Sequence, residues 1–335
     1  MTHQRTSKNL LGVAGGIILV LLLAAASLFL GSKSIDASRV WEVLLHADGS
    51  FESTVVRDQR IPRTILVILV GMALGVAGAL MQSLTRNPLA DPGVLGVNAG
   101  ASIAVVTAVA VAGVTSIWFY LWFAFAGAAA ASVAVYVLGG AAGRMATPAR
   151  LALAGVAISM AISALVQMVI LSNQDAFNEF RLWAAGSVEG RGWPIITAVV
   201  GFIVLGLLVA FASAPGLNAL ALGDEAGAAL GVKVNRLRVQ VMVAVTLLAG
   251  AATAAVGPIM FIGLGVPYLA RAICGPDQRW VVPLSAVAAP VVMLVADIAA
   301  RLIIAPAEVQ TGIITAILGG PVFIAIIRLR RIEAL

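Results

Sequence analysis

Long apolar runs separated by short polar segments recur along almost the whole chain, with lengths that fit a helical bilayer crossing of roughly 20 residues. They fall at 10–30, 64–82, 94–113, 117–139, 151–171, 195–212, 281–300 and 312–329. The region 239–274 is long for one crossing and tight for two, and Gly257-Pro258 interrupts it near its middle, where the missing proline N–H breaks a helix. Counted as two, it brings the total to ten. The first run exceeds the apolar core of a signal peptide, about 7 to 15 residues, and no small-x-small cleavage site follows it, so it reads as a crossing.

The polar segments add finer expectations. Residues 38–47 predict a short interfacial helix with Trp41 at headgroup level, and Pro62 is placed to open the second crossing. Trp118, Tyr120 and Trp122 make an aromatic girdle at the start of the fourth. Residues 172–193 read as a polar loop. Within 215–238, the segment 219–230 is weakly amphipathic and too interrupted to cross. Asp224 and Glu225 would lie in its first turn, where the helix dipole favours acids, and Gly231 suits its C-terminal cap.

Composition narrows the class. The chain is 61% hydrophobic and 11% charged with mean hydropathy +1.06, against about 25% charged residues in soluble domains. Residues 1–335 therefore form a single all-α membrane domain with no room for a separate soluble catalytic unit. Eighteen of the 21 basic residues are Arg, but they stand between apolar runs, where they read as topology signals rather than a nucleic-acid surface. With ten crossings and the N-terminus inside, the inner face holds 13 of the 21 basic residues, among them Arg86, Arg144, Arg150, Arg238, Arg271 and Arg328, and 5 of the 15 acidic ones. Nine crossings would put Arg328, Arg330 and Arg331 outside, so both termini are expected inside.

Candidate chemistry is sparse. Neither a phosphate-binding G-x-x-x-x-G-K-[ST] loop nor a dinucleotide fingerprint nor H-E-x-x-H occurs. The two histidines, His3 and His46, sit in polar flanks, and the lone Cys274 permits no intramolecular disulfide. No catalytic residue, metal site or cofactor is expected. Ion-coupled carriers keep ionisable groups at mid-membrane, and here the nearest is Asp297, close to the outer end of its run and one turn before Arg301, as in an ordinary i,i+4 ion pair. Gly71 with Gly75, and Gly96 with Gly100, have the spacing of close helix packing. Gln82, Asn98, Ser159, Ser163, Gln167, Thr246 and Thr315 are polar positions inside runs that either bond across helices or line a path.

Four blocks in order give a resemblance. Arg60-Ile61-Pro62-Arg63-Thr64 is followed by Gly78-Ala79-Leu80-Met81-Gln82 and Arg86-Asn87-Pro88-Leu89-Ala90-Asp91-Pro92-Gly93; Leu222-Gly223-Asp224-Glu225-Ala226 by Leu230-Gly231-Val232; Gly257-Pro258-Ile259-Met260-Phe261 by Val266-Pro267-Tyr268; and Gly312-Ile313-Ile314-Thr315-Ala316 by Leu318-Gly319-Gly320-Pro321. Together they resemble the FecCD family of ABC-importer permeases for iron siderophores, haem and cobalamin. The resemblance implies a type II importer permease in the bacterial cytoplasmic membrane. It would pair with a second permease, homologous or identical, with two cytoplasmic ATPase subunits that carry ATP and Mg, and with an extracytoplasmic substrate-binding protein. A ferric siderophore is the expected substrate, with haem or cobalamin as alternatives; an ion-coupled secondary transporter is the reading outside the family.

The resemblance also assigns residues. Segment 219–232, with Leu222, Gly223, Asp224, Glu225, Ala226, Leu230 and Gly231, would be the ATPase-coupling helix. Arg60, Arg63 and Arg301 would dock glutamates of the binding protein, lipid headgroups being the other reading. Asn87, Leu89 and Thr147 match an inner gate, and Ser159, Ser163, Gln167, Thr311 and Thr315 fall on the two crossings that line the family's path. Tyr268 stands where the family frequently has His, which removes a protonation role there.

Overall fold

A computed structural model describes residues 2–113, 116–140 and 147–329, and every regular element among them is helical. Arg144, Arg330 and Arg331, used above to orient the chain, lie outside the described residues. Helix α1 (Thr2–Phe29) leads to α2 (Ala37–Leu45), the predicted interfacial helix, which buries Val40 and Val43 and exposes Trp41. Then α3 (Phe51–Thr54), a π-helical turn (Val55–Arg60) and α4 (Ile61–Thr85) form one continuous rod. Pro62 stands in the first turn of α4, where the sequence predicts it, but the helix does not begin there, since the rod continues upstream through the π-helical turn. The wider turn, in which the Ile61 N–H reaches Val56 O, carries the helix past a residue that has no N–H to give.

Helices α5 (Val97–Ala112), α6 (Ile117–Gly139) and α7 (Pro148–Ser172) follow. The segment expected to be a loop folds instead into α8 (Gln174–Ala184), with Asn173 Oδ1 accepting from the Ala176 N–H as its cap. Next, α9 (Trp193–Ala221) runs straight through Pro215, so residues 219–221 close α9, Leu222 and Gly223 make the turn, and the separate helix expected over 219–232 shrinks to α10 (Asp224–Ala229). The ambiguous region resolves into α11 (Val234–Val256) and α12 (Ile262–Cys274), and α13 (Gln278–Leu302) and α14 (Thr311–Leu329) complete the described chain. The break is at Gly257, whose φ of +79° and whose approach to α8, with a Cβ 2.1 Å from Trp183 O, both require glycine.

Seven helical stretches are long and apolar enough to cross a bilayer, and the shorter apolar α5, α12 and α14 complete ten. At 13 residues, α12 rises about 20 Å, short of a hydrocarbon core about 30 Å thick. The non-helical 257–261, with Gly257 and Ile259 buried and Met260 exposed, makes up the difference. Ser187 N–H bonds Val256 O, and Gly312 N–H bonds Gly186 O, so the α8–α9 connection seals the outer ends of α11 and α14.

Central to the bundle is α4, packed by α13, α11, α12 and α9. Lipid tails are as apolar as leucine, so close backbone contact rather than water exclusion holds such helices together. Gly71 and Gly75 face α13, where a Cβ would stand 2.8 Å from Pro290 Cα and 2.5 Å from Ala289 Cβ. Gly78 meets Gly263 of α12 still more tightly, at 1.8 Å from its carbonyl oxygen. Gly100 packs on Gly127 of α6 in the same way, whereas Gly96, with φ +72°, turns the chain into α5.

Candidate functional site

Polar side chains collect at the two ends of the bundle. At the inner end, α4 terminates at Arg86 in a left-handed conformation, φ +51°. The next residue, Asn87, is exposed; its N–H returns to Gln82 O and its Oδ1 accepts from the Leu89 N–H at 2.9 Å. Leu89 is 41% exposed. Asp91 caps the following 3-10 turn by accepting from the Gly93 N–H, and burial pushes its carboxyl above the usual range against that bond. Thr147, the third residue of the implied gate, caps α7 by accepting from the Arg150 N–H at 3.4 Å.

Beside this loop stands α10, and its two acids face opposite ways. Asp224 is half-buried and bridges two arginines: Arg86 Nη2 reaches Oδ1 at 2.6 Å and Arg238 Nη2 reaches Oδ2 at 2.7 Å. Glu225 is exposed and has no ion-pair partner among the described residues. Leu222 and Leu230, 70% and 64% exposed, flank it, and Ala226 is half-buried. Gly223 and Gly231, at φ +112° and +86°, turn the chain into and out of the helix. A groove of about 550 Å³ runs along Asp224, Glu225, Ala228, Lys233 and Arg236.

At the outer end the three arginines read as docking residues are turned inward and bonded within the chain, exposed by only 4%, 8% and 2% at Arg60, Arg63 and Arg301. Arg60 donates to the carbonyls of Leu28, Phe29 and Lys33, tying down the C-terminus of α1. Arg63 grips the fully buried Asp297 through Nε and Nη2, at 3.0 and 2.8 Å, and reaches Glu308 through Nη1. Arg301 pairs with the same Asp297 at 2.9 Å and donates to Ser27 Oγ and to the Ser27 and Leu30 carbonyls. Asp297 is thus more than a partner in an i,i+4 pair at the membrane surface: it is the buried hub of a network joining α1, α4, α13 and, through the Thr311 hydroxyl, α14. A cavity of about 140 Å³ opens beside it, lined by Arg60, Arg63, Arg301 and Glu308.

The five implied path residues separate. On α7, Ser159 is half-buried while Ser163 and Gln167, one and two turns on, are exposed. Thr311 is fully buried in the Asp297 network, and Thr315 is buried with its hydroxyl on Gly312 O at 2.8 Å. Neither threonine lines an open surface. Polar contacts that sequence reading left unassigned also emerge: Thr253 donates to Asn98 Oδ1 across α11 and α5, and Arg271 of α12 donates to Gln82 Oε1 of α4. Arg86 and Arg238 read from sequence as topology signals; the acidic pair Asp224-Glu225 on a basic inner face is the signal that points to partners for them.

Comparison with known proteins places this arrangement. The model of the FecCD transport family matches residues 18–329. The chain belongs to the FecCD transport family. Among similar FecCD-type proteins, the ferric enterobactin transport system permease of Escherichia coli (strain K12) is 42% identical over 318 residues, 95% of each chain. An Fe(3+)-citrate import system permease of Bacillus subtilis (strain 168) is 36% identical, covering 97% of this chain and 96% of its own. The hemin transport system permease of Yersinia pestis is 35% identical over 94% of each. A metal-chelate type ABC transporter solved in an inward-facing conformation superposes with TM-score 0.85 at 24% identity, over 95% of this chain and 99% of the other, and so shares the fold. The FecCD protein is an all-α integral membrane permease.

Proposed function

We propose that this chain is the permease subunit of a binding-protein-dependent ABC importer that carries a ferric siderophore across the bacterial cytoplasmic membrane. The observation that carries the reading is the 42% identity, end to end, with a ferric enterobactin permease. ATP and Mg belong to a separate ATPase, and this chain needs no cofactor of its own. Exposed Glu225 on α10, with Leu222 before it and Leu230 after it, supplies an acid between two apolar anchors, a surface suited to a cytoplasmic partner. Exposed Ser163 and Gln167 lie inside an otherwise apolar crossing. Polar groups are costly against lipid, which supports a second permease, or the water path between two permeases, on that face. Docking of the binding protein at Arg60, Arg63 and Arg301 would require these side chains to leave their internal partners, so their rim, with Lys33 and Glu308, is the better candidate contact.

A second reading, haem as cargo, is favoured by the hemin permease at 35% identity. The test is uptake of radiolabelled ferric chelates and of haem into proteoliposomes holding this chain, its co-purifying permease and ATPase, with the binding protein outside. Chelate uptake that stops without the ATPase supports the proposal. Uptake of haem alone replaces the substrate, and uptake driven by an ion gradient without any ATPase overturns the importer.

A further inference from the structure

We infer that Asp224 is a positioning residue that ties α10 to the gate loop, so that displacement of α10 is delivered through Arg86 to Asn87 and Leu89. The inference rests on the importer reading above and assigns the step between partner and gate. Helix α10 itself packs on α9 and α11. Its ion pair with α4 is the one Asp224 makes with Arg86, 138 residues away in sequence. That guanidinium belongs to the residue immediately before Asn87, and its backbone is held in a left-handed cap by Arg86 N–H to Ser83 O and Asn87 N–H to Gln82 O. A pull on Arg86 is therefore transmitted to Asn87 with one peptide between them.

The other carboxylate oxygen is held by Arg238, 2% exposed, in the second turn of α11. Around this single carboxylate the two arginines leave Arg86 Nε, Arg238 Nε and Arg238 Nη1 buried without an acceptor. Two cations share one anion, and three donors go unmet. Buried donors in that condition cost free energy, so the arrangement is not a fully satisfied structural pin. Each arginine holds its own oxygen of the one carboxylate, so Asp224 links α10 to the cap of α4 and to α11 at once. Glu225, facing outward from the same turn, is left for the partner.

The test uses the full complex in proteoliposomes, with ferric enterobactin, the cargo named for the E. coli relative, as probe. Arg86→Gln and Asp224→Asn are each expected to raise the ATP hydrolysed per chelate imported about tenfold, the scale of a coupling free energy of 1–3 kcal/mol. The double variant is expected to match either single one, and Arg86→Lys, which keeps the charge, to stay near the parent ratio. A second readout needs no cargo. In a Cys274→Ser background, Leu89→Cys is labelled by a membrane-impermeant maleimide from the inside with and without ATP. The nucleotide-dependent change in labelling is expected to vanish with Arg86→Gln. Labelling that still follows nucleotide in Arg86→Gln, or single effects that multiply in the double variant, overturns the tie. Failure to import any chelate with labelling still nucleotide-dependent in the parent would count against the substrate reading instead.

Discussion

Asp297 lies near the end of a membrane helix with no exposed surface, and is tolerated there because Arg63 and Arg301 pair with it and the Thr311 hydroxyl donates to it. Such a hub gains little over an apolar replacement of the whole group but loses heavily when one member is removed. Asp297→Asn leaves two buried guanidiniums facing one another and is expected to cost about 3–5 kcal/mol, read as a lower thermal midpoint of the purified complex in detergent. An unchanged midpoint would show that Glu308 on Arg63 and the carbonyls at the end of α1 on Arg301 suffice without the Asp297 charge. Gly78 is a second single-residue dependency. A methyl there would meet the Gly263 carbonyl at 1.8 Å, a backbone obstacle that no rotamer relieves, so Gly78→Ala is expected to destabilise by about 1–3 kcal/mol and to lower the yield of folded protein on size exclusion. Gly265→Ala, in open space on α12, is the control.

At the scale of elements, α10 presents one acid inward and one outward, and the outward face makes a prediction separable from the tie. Leu222→Asp and Leu230→Asp are expected to cost about 2 kcal/mol each in partner affinity, seen as loss of ATPase from the complex at pull-down, with membrane insertion unchanged. Retention of the ATPase by both variants would move the contact elsewhere. On the opposite face, the Ser50 hydroxyl and N–H, followed by Arg39, hold the Asp48 carboxyl down to about 2. Its folded value lies below the unfolded one, near 3.9, so its support of the loop after α2 is complete above that range and is lost as pH falls through about 2. Hydrogen-exchange protection over 37–50, corrected for the intrinsic rate at each pH, is expected to be flat from pH 7 to 5 and to fall relative to the rest of the chain only on strong acidification.

The elements that sequence patterning located were those whose signal is local. The bounds of α6 coincide with the apolar run, and Gly257-Pro258 marks the α11–α12 break. What escaped depends on contacts. Polar α8 has no crossing signature and is held by its Asn173 cap and by Ala176 and Trp183 buried beneath it. Passage of α9 through Pro215 relies on neighbours: Leu217 and Leu220 beyond the proline are buried, which keeps the last turns helical. The i,i+4 pair of Asp297 with Arg301 was legible, but the inward commitment of Arg60 and Arg63 could not be read because their partners are carbonyls and acids far off in sequence, 234 residues away for Arg63 and Asp297. The family's residue types were legible, but not their orientation.

For the whole molecule, the surface left uncovered carries the remaining information. Helix α1 exposes Leu11, Ile18, Leu21 and Leu22, an unbroken aliphatic face suited to lipid, whereas α7 mixes exposed Met160 and Met168 with Ser163 and Gln167. A chain whose translocation path lay inside its own ten helices would turn those polar side chains inward and leave α7 as aliphatic as α1. Here the interior is filled by α4 and the small residues packed around it, which supports the proposed passage along an outer face shared with a second permease. The two sets of implied path residues then separate in function. Gln167→Trp, which adds bulk on the exposed face of α7, is expected to reduce chelate uptake by at least about tenfold while the assembled complex still hydrolyses ATP. Thr315→Val removes a hydroxyl bonded only to Gly312 O and is expected to cost about 1 kcal/mol of stability with uptake unchanged. Uptake lost in Thr315→Val and kept in Gln167→Trp would put the path on the α14 side and require that helix to rotate its buried face into the open.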